Sequence, residues 1–272
     1  MQSRRSYNLS LALIAIIFNC LDGRRILTAA KSDLGPVRIW PKKGGYSWEA
    51  SVDRETGIAT SKETGTIPTG SRLYRSINRT SDRDLLRFTE NLFAPYPTWL
   101  VKFPVTLGLL KATPGKKGGF EIRDRLFGVN LISFGRTQGQ RFSFQTNTSR
   151  GPTKTSQCTL ALPITGGLLT LSDPSKPNDG NRGSLLFTLT KSREVGATTD
   201  SDESPKTVCS ISTTIGGYRP SIAGAAPVNV LRKYTYLSTQ SIVHANIMWR
   251  FRRRCVGMTS DKVLPATPKT IG

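Results

Sequence analysis

PVNVLRKYTYLSTQSIVHANIMWRFRRRC, residues 227–255, is the stretch on which the reading of the fold turns. Val230, Tyr234, Leu237, Ser241, His244, Met248, Phe251 and Cys255 recur at three- and four-residue spacing. Leu231, Ile242, Ala245 and Trp249 widen that stripe into a broad apolar face. Pro227 suits a first helical turn, where the amide it lacks would be unpaired anyway. Arg250, Arg252, Arg253 and Arg254 sit where the dipole of such a helix is negative. The pattern predicts one long amphipathic helix of roughly 25 residues, about 37 Å, enough to cross the face of a sheet.

Upstream the period is two. After the turn-rich cluster TPGKKGG at 113–119, strands are expected at Phe120 and Ile122, from Val129 to Phe134, and at Phe142 and Phe144. Others follow at Cys158, Leu160, Leu162 and Ile164, at Leu168 to Leu171, at Leu185 to Leu189, and at Cys209, Ile211, Thr213 and Ile215, the last closed by Gly216 and Gly217. Phe142 and Phe144 alternate with Arg141, Ser143 and Gln145, which by the period-two rule aims both rings at a core. Asp173 to Gly183 and Ser192 to Lys206 read as exposed loops. Nearer the start, Ser81 or Asp82 caps a short helix carrying Leu85, Leu86, Phe88, Leu92 and Phe93, ended by Pro95 and Pro97. Trp99 to Leu110 keeps helical spacing despite Pro104, whereas Lys31 to Ser81 shows no sustained period.

Short helices, a run of antiparallel strands, then a long C-terminal helix define the expected fold class: α+β, a curved antiparallel sheet packed around one long C-terminal helix. The order resembles that of the START-like helix-grip superfamily, which includes the birch-pollen allergen relatives and polyketide cyclases. The resemblance covers Asp82 to Cys255. It rests on that order and on FAPYPTW at 93–99, Thr213-Thr214-Ile215, and YLSTQSIVH at 236–244. It implies an apolar cavity between sheet and helix holding a lipid-like small molecule, with Tyr218, Tyr234, Leu237, Gln240, His244 and Met248 as candidate ligand contacts. The basic, unpatterned region before Ser81 and the two long loops depart from the family pattern. The chain accordingly divides into a leader at 1–43, a linker or extended segment at 44–80, a domain at 81–256 and a tail at 257–272.

Charge widens the choice of partners. Lys and Arg number 39 against 18 Asp and Glu, a formal +21 that attracts anionic membrane surfaces or nucleic acid. Most of the basic residues are dispersed, which favours solubility over a dedicated groove. Arg252, Arg253 and Arg254 are at once a dipole-compensating helix end and a candidate anionic contact. Arg4 and Arg5 before the apolar run from Leu9 to Leu21 read as a signal-type leader, too short at 13 residues for a comfortable membrane span. The basic stretch that follows resembles a transit segment. Secretion, a plastid reached through the secretory route, and an uncleaved anchor all remain open.

Little in the sequence points to catalysis. His244 is the one histidine, which excludes a His-cluster metal site, and its place on a helix face favours a core or rim role over a catalytic one. Glu121 and Asp124, three apart on a strand, point to opposite faces. Gly108 to Lys117 lacks the spacing and the terminal Ser or Thr of a phosphate loop. Cys158, Cys209 and Cys255 have no metal or redox spacing and read as buried fillers, with a Cys158 to Cys209 bridge open if their strands are neighbours. No cofactor is expected. The favoured reading is a non-enzymatic binder of an apolar or amphipathic molecule. The alternatives are a basic module for RNA or another anionic partner, and an enzyme using the same cavity.

Overall fold

The computed structural model describes residues 45–102, 108–115, 118–148, 151–171, 182–194, 207–224, 226–238 and 240–257. The leader at 1–43, the tail beyond Gly257 and most of the two long loops lie outside the described residues. Ten strands form a single antiparallel sheet: β1 (Tyr46–Val52), β2 (Ala59–Thr66), β3 (Leu110–Pro114), β4 (Phe120–Asp124), β5 (Asn130–Phe134), β6 (Gln138–Thr148), β7 (Gly151–Gly166), β8 (Thr170–Leu171), β9 (Ser184–Glu194) and β10 (Thr207–Pro220). Their order is β1-β2-β10-β9-β7-β5-β4-β3. β7 is long enough to pair with β5 near Ile164 and with β6 over Gly151 to Ala161, while β8 joins β10.

Among the described residues five helices accompany the sheet: α1 (Arg72–Arg79), α2 (Leu85–Phe93), α3 (Tyr96–Lys102), α4 (Val230–Ser238) and α5 (Gln240–Val256). The expected helix-grip is overturned. The sheet dominates, and the C-terminal stretch is two helices, the longer of 17 residues, about 25 Å. The apolar residues keep the same spacing on both helices, which is why the stretch reads as one; Thr239, between them, lies outside the described residues.

Alternation decides which strand faces turn inward. Cys158, Leu160, Leu162 and Ile164 of β7, Leu185, Phe187 and Leu189 of β9, and Cys209, Ile211 and Ile215 of β10 are all buried. They share one core with Leu73, Ile77, Leu85, Phe88, Leu92 and Phe93 of the early helices and with Ala245, Met248, Phe251 and Cys255 of α5. Segment 46–79, unpatterned in sequence, belongs to that same core through Trp48, Val52, Ala59 and Ile77. Strand β2 escaped notice because its inward residues are Ala59, Ser61, Glu63 and Gly65, small or polar rather than apolar. Gly216 and Gly217 do not end β10. They form an irregularity between Ile215 and Tyr218, with Gly217 at φ 68°, so both flanking side chains point inward and the strand runs on to Pro220.

Cys158 and Cys209 lie on β7 and β10, with β9 between them. Two strand spacings amount to roughly 9.5 Å, beyond the reach of a disulfide. Both are free and buried, as is Cys255.

Glu63 is one of the buried acidic side chains, with Glu121 and Asp124. Its Oε1 lies 3.3 Å from Nε of Arg252, an ion pair without hydrogen-bond alignment, with the two side chains 3% and 11% exposed. The Arg252 guanidinium also stands 5.0 Å from the centre of the Tyr46 ring and occupies the space a β-carbon on Gly65 would take. Burial pushes the Glu63 carboxyl up to about 8, with Arg252 pulling the other way. A raised carboxyl means the folded chain holds a proton that the unfolded chain releases above its ordinary value near 4.5. Stability from this group is therefore full below that value and is lost as pH rises to about 8. Chemical denaturation between pH 6.5 and 8 is expected to show this loss in the native chain and a flatter profile in Glu63→Gln.

Candidate functional site

A cavity of about 300 Å³ opens where α2 and α3 meet the sheet. Phe93 and Tyr96 come from the two helices, Leu160 and Leu162 from β7, Phe187 from β9 and Phe120 from β4. Glu90, Ala94 and Thr137, all exposed, stand at its mouth, with Pro97 beside them. Alternation along β7 and β9 aims Leu160, Leu162 and Phe187 at the helices. The helix break at Ala94 and Pro95 turns Phe93 and Tyr96 onto the same ring. Phe93 stacks on Phe187 at 4.7 Å between centres, and Tyr96 meets Phe187 edge-on at 5.0 Å. The floor is thus rigid and aromatic, and burial raises the Tyr96 phenol well above its ordinary range.

Behind that floor the space toward the C-terminal helices is filled. Phe251 of α5 lies 6.2 Å from Phe93, 5.1 Å from Tyr96, 5.1 Å from Trp99 and 6.0 Å from Phe187. The cavity therefore lies beside α2, and not between sheet and C-terminal helix. None of the six ligand contacts expected from sequence lines it. Met248 and Leu237 are packed in the core, and Tyr234 is 41% exposed. Gln240 is half-buried at the start of α5. Tyr218 is buried with Tyr236, their hydroxyls 2.7 Å apart. That bond ties α4 to β10, and burial raises Tyr218 strongly and Tyr236 to about 12.

His244 has both ring nitrogens shielded and without hydrogen-bond partners. Burial lowers its pKa to about 4, so the ring is neutral in the folded chain at ordinary pH. It does not line the cavity, where the one ionisable carboxylate among the lining residues is Glu90. Glu121 pairs with Arg123 at 2.6 Å, and Asp124 accepts from the amides of Phe127 and Val129 in the β4–β5 turn, so both carboxylates have structural partners. No group of three potential metal ligands occurs among the described residues.

The arginines at the helix end have separate fates. Arg252 is committed to Glu63, Arg253 stands 5.0 Å over the Trp249 ring, and Arg254 is exposed. Arg252 is thus withdrawn from any anionic contact. Phe142 and Phe144, expected in the core, are 51% and 46% exposed on the outer face of β6. The side chains of β6 are exposed from Gln138 to Asn147, so alternation there does not separate a buried face from an open one.

Nothing in the sequence singles out Glu90 or Thr137, and the other lining residues stand in it only as strand or helix positions or within FAPYPTW. The usable signal was FAPYPTW at 93–99, where two prolines and three aromatics crowd a helix break. No described helix is long and apolar enough to cross a membrane.

A depressed histidine stabilises the fold above its unfolded value near 6.5, and that stability is lost as pH falls toward 4. Thermal melts of His244→Gln are expected to lose part of the decline that the native chain shows over this interval.

No family model matches the chain and no curated protein matches it, so its activity has to be argued from the chemistry of this cavity.

Proposed function

We propose that this protein binds an apolar or amphipathic small molecule in the cavity beside α2. The observation that carries the reading is an aromatic and aliphatic floor closed on one side by Phe251 and open on the other at Glu90, Ala94 and Thr137. Such a site desolvates an apolar body and leaves its polar end at the mouth. Burial stabilises the complex by about 25 cal/mol for each Å² of apolar surface removed from water. At about 300 Å³ the space equals roughly ten water volumes. That suits a ring system or one short chain, and is too little for a whole two-tailed lipid. The signal-like leader gives this binder a destination, a plastid through the secretory route or the exterior.

Native mass spectrometry after exposure to a lipid and pigment mixture tests the reading. The native chain is expected to carry a discrete adduct that persists at high salt, and Ala94→Trp, which plugs the mouth from an exposed position, to lose it. A bare native chain, or an adduct unchanged in Ala94→Trp, overturns the proposal.

A second reading has its own observation. Arg72, Arg75 and Arg79 line one exposed face of α1, opposite buried Leu73 and Ile77, and Arg83 and Arg87, next in the chain, are exposed as well. Among the described residues none of the five is in an ion pair. A phosphate-bearing polyanion such as RNA suits this face, and neutralising phosphates makes such binding steeply salt-dependent. Triple replacement Arg72→Glu, Arg75→Glu, Arg79→Glu is expected to lower the salt needed to release single-stranded RNA and to leave the cavity adduct intact. Unchanged release sinks this reading alone.

A further inference from the structure

The strip of this molecule best built to meet another is the free edge of β6. Its eleven residues pair with β7 from Gln138↔Ala161 to Thr148↔Gly151 without a register shift. Among the described residues nothing pairs with its other side. Sheet edges are ordinarily protected by proline, lysine, bulges or shortness, and β6 has none of these. Instead it presents a row of unpaired amides and carbonyls, with Phe142 and Phe144 exposed side by side on the outer face.

Charge selects the occupant. In a chain of net +21, β6 carries one ionisable side chain, Arg141. That guanidinium turns to the inner face, where it donates to the Asp82 carbonyl at 2.9 Å. Lys154, the nearest cation on β7, is held there too, 2.8 Å from the Asp82 carboxylate. Next to the rings on the outer face stand Gln157 opposite Phe142 and Thr155 opposite Phe144, both uncharged. A stacking platform for nucleic acid would need cations beside its rings. Two strongly basic copies, by contrast, can approach only along a neutral strip.

We propose that two copies of this chain associate through β6, antiparallel about a two-fold axis at Ser143, extending the sheet from one copy into the next. Symmetry then fixes the register. Phe142 meets Phe144 of the second copy and the reverse, joining four rings on the outer face, and Arg141 meets Gln145, so no like charges are opposed. Backbone hydrogen bonds along Gln140 to Thr146 supply the affinity, as in strand addition generally. The contact lies at the small end of specific interfaces, below about 1,200 Å², which makes the pairing a concentration-dependent equilibrium. The residual repulsion between basic copies is screened by salt.

Sedimentation of the nuclease-treated full chain tests this. The average mass is expected to climb from 29.8 kDa toward twice that with rising concentration, and further as salt is added, the opposite of a nucleic-acid bridge. Phe142→Lys with Phe144→Lys, both on exposed positions, is expected to remain monomeric with an unchanged melting temperature. In a Cys20→Ser background, Ser143→Cys is expected to form a disulfide-linked dimer on mild oxidation. Thr146→Cys, about 20 Å from its own copy in this register, is expected not to. The native thiols Cys158, Cys209 and Cys255 are buried and do not interfere. A chain monomeric at every concentration, a dimer untouched by the lysine pair, or equal cross-linking at both cysteine positions overturns the proposal.

Discussion

Phe251 is the contact on which the rest of the arrangement depends. Its ring touches the aromatic rings of α2, α3 and β9 at once, so one side chain near the C-terminus fixes the early helices against the centre of the sheet. Aromatic pairs favour offset or edge-on geometries, and the cluster combines both: Phe93 lies flat on Phe187 while Tyr96 meets Phe187 and Phe251 by its edge. Those constraints leave the other side of Phe93 and Tyr96 as a preformed wall. The cavity is what remains when two short helices are held by their aromatic ends and the sheet curves away beneath them.

A second constraint acts at the next residue of the same helix. Strand β2 faces inward with alanine, serine, glutamate and glycine, residues too small to meet α5 by packing alone. Arg252 fills that gap, laying its guanidinium over the bare backbone at Gly65 and pairing with Glu63. An ion pair in this setting recovers only part of the hydration its members lose, and removing one partner is costly because the other is left buried. Of the arginines on α5, Arg252 is the one seated against Glu63, which joins this helix to β2 at that point.

The sequence revealed the parts of the fold in which alternation is made by large apolar side chains. From β4 to β10 the spacing of Phe, Leu, Ile and Cys marks each strand, and Leu85 to Phe93 marks its helix. It concealed β2, whose inward residues are small and polar, and β1, whose alternation of Tyr46, Trp48, Ala50 and Val52 was diluted by the basic stretch around it. The C-terminal helix misled for a different reason. A stripe at helical spacing reports which side chains share a face, and that stays true when the stretch is divided between two helices, so Tyr236 and Met248 are both buried on separate helices. The cavity was missed for the same kind of reason. Periodicity shows which residues turn inward, and says nothing of whether the inward space is filled, as it is around Phe251, or open, as it is above Phe187.

Three thiols, on β7, β10 and α5, are each enclosed in the core, and burial raises all of them, Cys209 to about 11 and Cys255 to about 12. No cross-link joins these three, so nothing in the described fold depends on an oxidising environment. Since a thiol reacts as its thiolate, each of these sulfurs stays silent until its own element opens. The molecule thereby carries three built-in reporters of local opening, two on inner strands of the sheet and one on α5.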